Sequence, residues 1–212
     1  MFKVTRPFAK GKTLFNSFAF IVIAVLISSC AGSYKPMVPA NMNYGSTSEG
    51  NGIAYAYRHN VLTETGNKKY AKREAKGSLK LMAIEITNTT DRTINFNRDV
   101  KMYMGDRQVL PVEPTIVYEQ LRQRSGLYML WSLLWVVFTK CDEDGNCSST
   151  PLPVGLAIGI GNTAAASSAN KKFMAELMAT DLLTKEIKPG ETVSGLIGIS
   201  STTSGSISLK LN

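Results

Sequence analysis

Cys141 and Cys147 are the residues of this chain whose type and spacing point most directly to chemistry. They enclose Asp-Glu-Asp-Gly-Asn, and the Asp-Gly-Asn part of it favours a tight turn. Paired cysteines usually form a disulfide in an oxidising compartment, so we predict a bond between these two. The alternation of Asp142, Asp144 and Asn146 is also typical of the first half of a calcium loop. However, the glycine lies between Asp144 and Asn146, and no glutamate follows at the required spacing.

Other catalytic patterns are absent from the sequence. His59 is the only histidine, and no Gly-x-Ser-x-Gly motif is available to place a nucleophilic serine. Gly155, Gly159 and Gly161 are not followed by Gly-Lys-Ser/Thr, which a nucleotide-binding loop needs. We therefore predict no catalytic residue, no metal, no cofactor and no enzymatic activity.

The N-terminal segment has the features of a secretion signal. An apolar run of about ten residues (18–27) follows four basic residues, and it is too short to span a bilayer, which takes roughly 20 residues. The next residues complete Leu-Ile-Ser-Ser-Cys, ending at Cys30, which resembles a bacterial lipobox. The resemblance implies that residues 1–29 are a lipoprotein signal peptide. It also implies that Cys30 becomes the new N-terminus and carries the acyl chains, palmitate included.

The net charge and the residue after Cys30 predict where the protein is located and which partners it meets. Removal of the four basic residues of the signal lowers the net charge from +8 to +4. The remaining basic residues have one local cluster, between Lys68 and Lys76. We interpret it either as a solvated loop or as a contact for anionic lipid headgroups or lipopolysaccharide phosphates. Ala31 is not the aspartate that favours inner-membrane retention in enterobacterial sorting, so we expect the outer membrane. Nucleic acid is excluded as a partner because an exported protein does not meet it.

Hydrophobic patterning predicts the domain organisation. Residues 30–51 are rich in Gly, Ser, Asn and Pro, and we predict a flexible tether there. Residues 52–212 are predicted to form one domain with about seven short strands, which favours an antiparallel β-sandwich. The strand at 79–87 is apolar on both faces and should be central. A hairpin is predicted at 100–110.

An apolar, glycine-rich segment at about 125–185 interrupts this strand pattern. It contains Trp131, Trp135, Gly155 and Gly159 and ends in a predicted amphipathic helix over 170–185. Three interpretations are open. The tryptophans could fill a core against the sandwich, the segment could enter a membrane as a helical hairpin using the small-residue spacing of the two glycines, or it could dock a protein.

Two stretches carry a family resemblance. Residues 84–94 (IEITNTTDRTI) resemble the strand–turn–strand element of small immunoglobulin-like domains of lipoproteins, and residues 187–197 (IKPGETVSGLI) resemble the strand before the last in the same domains. The mature chain as a whole resembles uncharacterised outer-membrane lipoproteins of Bacteroidota-type bacteria. The resemblance implies a mainly β, immunoglobulin-like sandwich and carries no assigned activity.

Two functions of different classes follow. The first is a lipid-anchored, non-enzymatic accessory or scaffold component of a cell-envelope assembly, attached to the membrane through its lipid and with an envelope protein as partner. The alternative is a module that binds a small ligand or a glycan by stacking on tyrosine rings. The tyrosines considered for stacking are Tyr55, Tyr57, Tyr103 and Tyr118. The sequence leaves the oligomeric state open.

Overall fold

The computed structural model describes residues 30–212 of the chain. The predicted signal peptide, residues 1–29, lies outside the described residues. The described part contains twelve strands: β1 Ser46–Gly50, β2 Ile53–Arg58, β3 Leu79–Asn88, β4 Ile94–Asn95, β5 Val100–Met104, β6 Arg107–Val109, β7 Pro111–Val112, β8 Val136–Cys141, β9 Cys147–Leu152, β10 Glu186–Ile187, β11 Thr192–Ser200 and β12 Ile207–Leu211. The helices are α1 Val61–Glu64, α2 Lys68–Lys76, α3 Phe96–Asp99, α4 Pro114–Leu121 and α5 Val154–Ala179, with 3-10 helices at Pro39–Asn41 and Ser125–Leu133.

A five-stranded sheet in the order β1-β2-β3-β11-β7 forms the centre of the domain. Its long strand β3 pairs with β2 on one side, where Ile84 lies opposite Tyr57, and with β11 on the other, where Ile84 lies opposite Gly195. All strand pairs in residues 30–212 are antiparallel, which confirms the predicted pairing. The predicted hairpin over 100–110 is confirmed as β5 and β6.

The first hydrophobic core lies between one face of β3 and two smaller sheets, β12-β5-β6 and β10-β4. Met82, Ile84 and Ile86 point to this side and are fully buried. They pack with Phe96 of α3 and Met102 of β5, among others. This half of the domain has the two-layer arrangement that the strand pattern predicts.

The second core lies on the opposite face of the same sheet. Leu79, Leu81 and Ala83 point to a helical layer made of α2, α4 and α5. The rings of Tyr70 in α2 and Phe173 in α5 meet there with centroids 4.7 Å apart. The prediction that this strand is central and buried on both faces is confirmed, because alternate side chains of β3 enter different cores.

The flexible tether predicted for residues 30–51 is wrong for its larger part. Tyr34 and Met37 are buried in the second core, and residues 46–50 form β1. The carboxylate of Glu176 in α5 accepts the backbone N–H groups of Met37 at 2.8 Å and Val38 at 2.7 Å, and also the hydroxyl of Tyr34. These charge-assisted bonds provide the stabilisation that the apolar content of the segment alone does not.

The antiparallel sheets fit the predicted mainly β fold, but the domain is mixed because it contains more helix than the sequence predicts. The helix predicted over 170–185 begins at Val154 and ends at Ala179, so it includes the glycine-rich stretch. The basic cluster interpreted as a solvated loop is the helix α2. Its buried face consists of Tyr70 and Glu74, one turn apart, and the basic side chains occupy the remaining faces.

Candidate functional site

An extension of the helical layer carries most of the exposed large apolar side chains. We call residues 125–160 the apolar arm. The arm comprises the 3-10 helix Ser125–Leu133, the hairpin β8–β9 and the first turns of α5. Its exposed apolar residues are Leu127, Met129, Leu130, Leu133, Trp135, Val136, Val137, Phe138, Leu152, Val154, Leu156 and Ile160. Surfaces of this kind in soluble domains usually mark a contact with a membrane or another protein.

Two glycines fix the 3-10 helix of the arm on α5. A Cβ atom on Gly155 would collide with the carbonyl oxygen of Trp131, and one on Gly159 would lie 3.2 Å from the carbonyl oxygen of Tyr128. The N–H of Gly155 also donates to the carbonyl of Leu134 at 2.9 Å. The spacing of the two glycines therefore does allow two helices to approach closely, as predicted. The two helices are the 3-10 helix and α5 of the same arm.

The two tryptophans do not fill a core. Trp135 is 59 % exposed and Trp131 is half-buried. The prediction that the tryptophans fill a core is therefore wrong, whereas the later part of the segment does pack against the sheet through Phe173 and Leu177 of α5. None of the helices in residues 30–212 combines the length and apolar character needed to cross a membrane.

The tip of the arm is closed by the disulfide between Cys141 and Cys147, which confirms the predicted bond. Inside the turn, the carboxylate of Asp142 accepts the N–H of Asn146 at 2.7 Å. This carboxylate thus serves the turn itself, as an Asx side chain commonly does. No group of three or more His, Cys, Asp or Glu side chains in the described part of the chain is placed to hold a metal ion.

Cys30 lies at the base of the arm. The N–H of Ala31 donates to Oδ1 of Asn162 in α5 at 2.6 Å, and Gly32 is bonded to Gln123 in both directions. Burial raises the pKa of Tyr128 in the neighbouring 3-10 helix. Cys30 itself is exposed. The predicted lipid-attachment residue and the apolar arm are therefore neighbours in the folded domain.

A buried polar network supports this arrangement. Asn170 of α5 accepts the N–H of Gln123 at 2.9 Å and donates to its carbonyl at 2.8 Å. The hydroxyl of Tyr70 donates to the same amide oxygen at 3.1 Å. Because Gln123 in turn binds Gly32, one chain of hydrogen bonds joins α2, the end of α4, α5 and the residues next to Cys30. No local pattern singles out Gln123, Asn162 or Asn170, because their partners are distant in the chain.

A cavity of about 370 Å³ opens between α2 and the start of the arm. We call it the basic cavity. Its lining residues are Lys69, Lys72, Arg73, Lys76, Gln123, Arg124, Leu127 and Tyr128. Burial, followed by the neighbouring charges of Arg124 and Arg122, lowers the pKa of Arg73. Cationic groups are thus concentrated on the side of the domain that carries Cys30.

The four tyrosines considered for ligand stacking do not form one platform. Tyr55 is buried in the first core, and Tyr118 packs on Phe173 at the second, with ring centroids 6.3 Å apart. Tyr57 contacts the ring of His59, and Tyr103 lies beneath the ammonium group of Lys210. His59 binds the carbonyl of Gly205 at 2.8 Å through Nε2. Each of these rings, and the imidazole of His59, packs against or bonds to other residues of the domain. They lie in different parts of it and do not form a common stacking surface.

Comparison with known proteins provides no relative. No protein family, curated protein or solved structure matches this chain. The features of the molecule that bear on its function are the arm, the basic cavity and the position of Cys30.

Proposed function

We propose that this protein is a lipid-anchored, non-enzymatic accessory or scaffold protein of the cell envelope, whose apolar arm docks at the surface of the membrane that holds the lipid of Cys30. One observation supports the proposal above the others. The two residues after Cys30 are fixed beside the arm, because Ala31 donates to Asn162 of α5 and Gly32 donates to Gln123 just before the 3-10 helix. A lipid on Cys30 therefore brings the arm to the bilayer.

The composition of the arm suits an interface better than the interior of a bilayer. Its two tryptophans and Tyr128 belong to the aromatic types that concentrate at the level of lipid headgroups. Each strand of the β8–β9 hairpin has six residues, fewer than the roughly nine that a membrane-spanning strand needs. A mature lipoprotein carries more than one acyl chain, which gives stable anchoring. The arm then orients a domain that is already attached.

The scaffold role follows from this orientation. The helical layer carries both the arm and Cys30, and the smaller sheets β12-β5-β6 and β10-β4 lie on the opposite face of the central sheet. With the arm on the membrane, those sheets point away from it and are available to an envelope protein partner. We also propose that the sheets around the first core form an immunoglobulin-like sandwich. The antiparallel pairing of their strands supports this, and the helical layer is an addition to such a sandwich.

The experiment uses residues 30–212, which contain both cores, with Cys30→Ser to remove the lipid. We expect this protein to remain partly bound to phosphatidylcholine vesicles in flotation. Leu133→Ser with Phe138→Ser should lower its partition about tenfold or more, since each removes an exposed apolar side chain from the contact. Leu110→Ser with Ile116→Ser is the matched control, because these residues are exposed and apolar but lie outside the arm.

A soluble monomer that does not bind vesicles would contradict the docking role of the arm. In that case, and if size-exclusion chromatography of an envelope extract also shows the lipidated protein alone, the scaffold proposal fails. The small-ligand or glycan-binding alternative would then be the one to pursue.

A further inference from the structure

The basic cavity has the chemistry of an anion site. Of the eight residues that line it, five are cationic and none of these described residues is acidic. Within residues 30–212, Lys72, Lys76 and Arg124 take part in no ion pair. Cations held near one another without a counter-charge repel, and an anion in the cavity removes this cost.

The lining favours a phosphate group among anions. Guanidinium groups bind phosphate oxygens in a two-pronged manner, and ammonium groups add point charges around them. Arg73 is held in place because its Nε donates to the carbonyl of Gln120 at 3.2 Å. The hydroxyl of Tyr128 lies at the wall, where it makes a long hydrogen bond of 3.5 Å to Oε1 of Gln123. Leu127 adds an apolar edge, which is exposed.

The position of the cavity identifies the source of the phosphate. Gln123 lines the cavity and also holds Gly32, two residues from Cys30. Leu127 and Tyr128 belong at once to the cavity and to the apolar arm. A domain held at the bilayer by its lipid and its arm therefore places this cavity at the depth of the headgroups, where phosphate is the most abundant anion.

We propose that the basic cavity binds the phosphate group of an anionic lipid headgroup in the leaflet that holds the lipid of Cys30. The inference rests on the proposed function, since it takes the arm and the lipid to be on the same membrane. It adds a third, electrostatic contact that fixes the rotation of the domain on the surface.

The test compares vesicles of phosphatidylcholine with vesicles that also contain phosphatidylglycerol, using residues 30–212 with Cys30→Ser. We expect the partition coefficient to rise with phosphatidylglycerol. Lys72→Gln with Lys76→Gln should reduce that rise by about thirtyfold, which is what two cationic residues contribute at an anionic surface. Both residues are exposed on α2, so the fold should tolerate the change. Lys101→Gln with Lys188→Gln removes the same charge from exposed positions outside the cavity and is the control.

An equal loss in the control pair, or no rise with phosphatidylglycerol, would overturn the proposal. A second experiment titrates inorganic phosphate into the same protein without vesicles, with sodium chloride of equal ionic strength as reference. Saturable phosphate binding that Lys72→Gln with Lys76→Gln abolishes, in a protein whose partition does not rise with phosphatidylglycerol, would show that the site takes free phosphate and that the lipid headgroup is the wrong source. Binding of Leu133→Ser with Phe138→Ser to pure phosphatidylcholine vesicles measures the contribution of the arm alone. An incorrect proposal for the cavity is therefore distinguishable from an incorrect proposal for the arm.

Discussion

Gln123 and Gly32 exchange two hydrogen bonds. The N–H of Gly32 donates to Oε1 of Gln123 at 3.0 Å, and Nε2 of Gln123 donates to the carbonyl of Gly32 at 2.7 Å. Gln123 is 3 % exposed, so solvent does not compete for these bonds. The residue that we expect to carry the lipid is thus tied to the domain two residues away, and the orientation of the domain on a membrane depends on this pair.

Replacement of Gln123 by alanine should free the N-terminal residues. The change leaves the N–H and the carbonyl of Gly32 without partners, which costs on the order of 1–3 kcal/mol of unfolding free energy. Amide hydrogen exchange at Gly32 and Lys35 should become faster. Gln108→Ala, on the exposed side of β6, is the control. Unchanged exchange at Gly32 would show that Gln123 does not hold the segment.

Two glycines of α5 should respond in opposite directions to the same substitution. Gly155→Ala introduces a Cβ against the carbonyl oxygen of Trp131, so the 3-10 helix must shift and the arm should loosen. Gly161→Ala meets nothing within 4 Å and should stabilise the helix by about 1 kcal/mol. Urea unfolding measures both. A stabilising Gly155→Ala would mean that the arm is not packed on α5 as described.

The disulfide between Cys141 and Cys147 should be formed, and its reduction should change the dynamics of the arm only. In the Cys30→Ser background, Cys141 and Cys147 should resist alkylation until a reductant is added. The chain-entropy model gives on the order of 2 kcal/mol for so short a loop. Because the hairpin residues are exposed and outside both cores, reduction should increase amide exchange in 136–152 and leave the exchange of β3 unchanged. Alkylation of either thiol without reductant would contradict the closed disulfide.

Asp99 predicts a pH dependence of stability. The guanidinium of Arg98 and then the N–H of Asn95 bind its carboxylate and lower its pKa to about 2. The unfolded value is about 3.9, so the ionised carboxylate stabilises the fold above that pH, and this contribution is lost as the pH falls from about 4 to about 2. Asp99→Asn should therefore destabilise at neutral pH and lose most of this difference near pH 2. Asp106→Asn, in the exposed β5–β6 turn, is the control. A difference that stays constant over this range would contradict the assignment.

The parts of the fold that were predictable from the sequence depend on local patterns. β3 carries apolar residues on both of its faces, including every position from Leu81 to Ala83. A strand of this kind is stable only when layers cover both faces. The turn at Gly105–Asp106 and the Asp-Gly-Asn turn between the cysteines are signalled by residues that favour such turns. In these cases the determining residues are close together in the chain.

The parts that were not predictable depend on distant pairs. Tyr34 and Met37 lie in a stretch of low apolar content, and their burial requires Glu176, about 140 residues further on. The α2 helix has only Tyr70 and Glu74 on its buried face, so the basic residues dominate its pattern. For the candidate site, the sequence located Cys30 and the arm. It did not indicate that they are neighbours, since Gln123 and Asn162 create that proximity.

The most direct test of the central claim, that the arm lies at the membrane surface, uses the fluorescence of the lipidated protein. The chain has two tryptophans, Trp131 and Trp135, and both belong to the arm. In vesicles with brominated phospholipids, we predict blue-shifted emission and strongest quenching by bromine atoms placed just below the headgroups. Emission of a water-exposed indole, with no quenching at any bromine depth although the protein floats with the vesicles, would contradict the account.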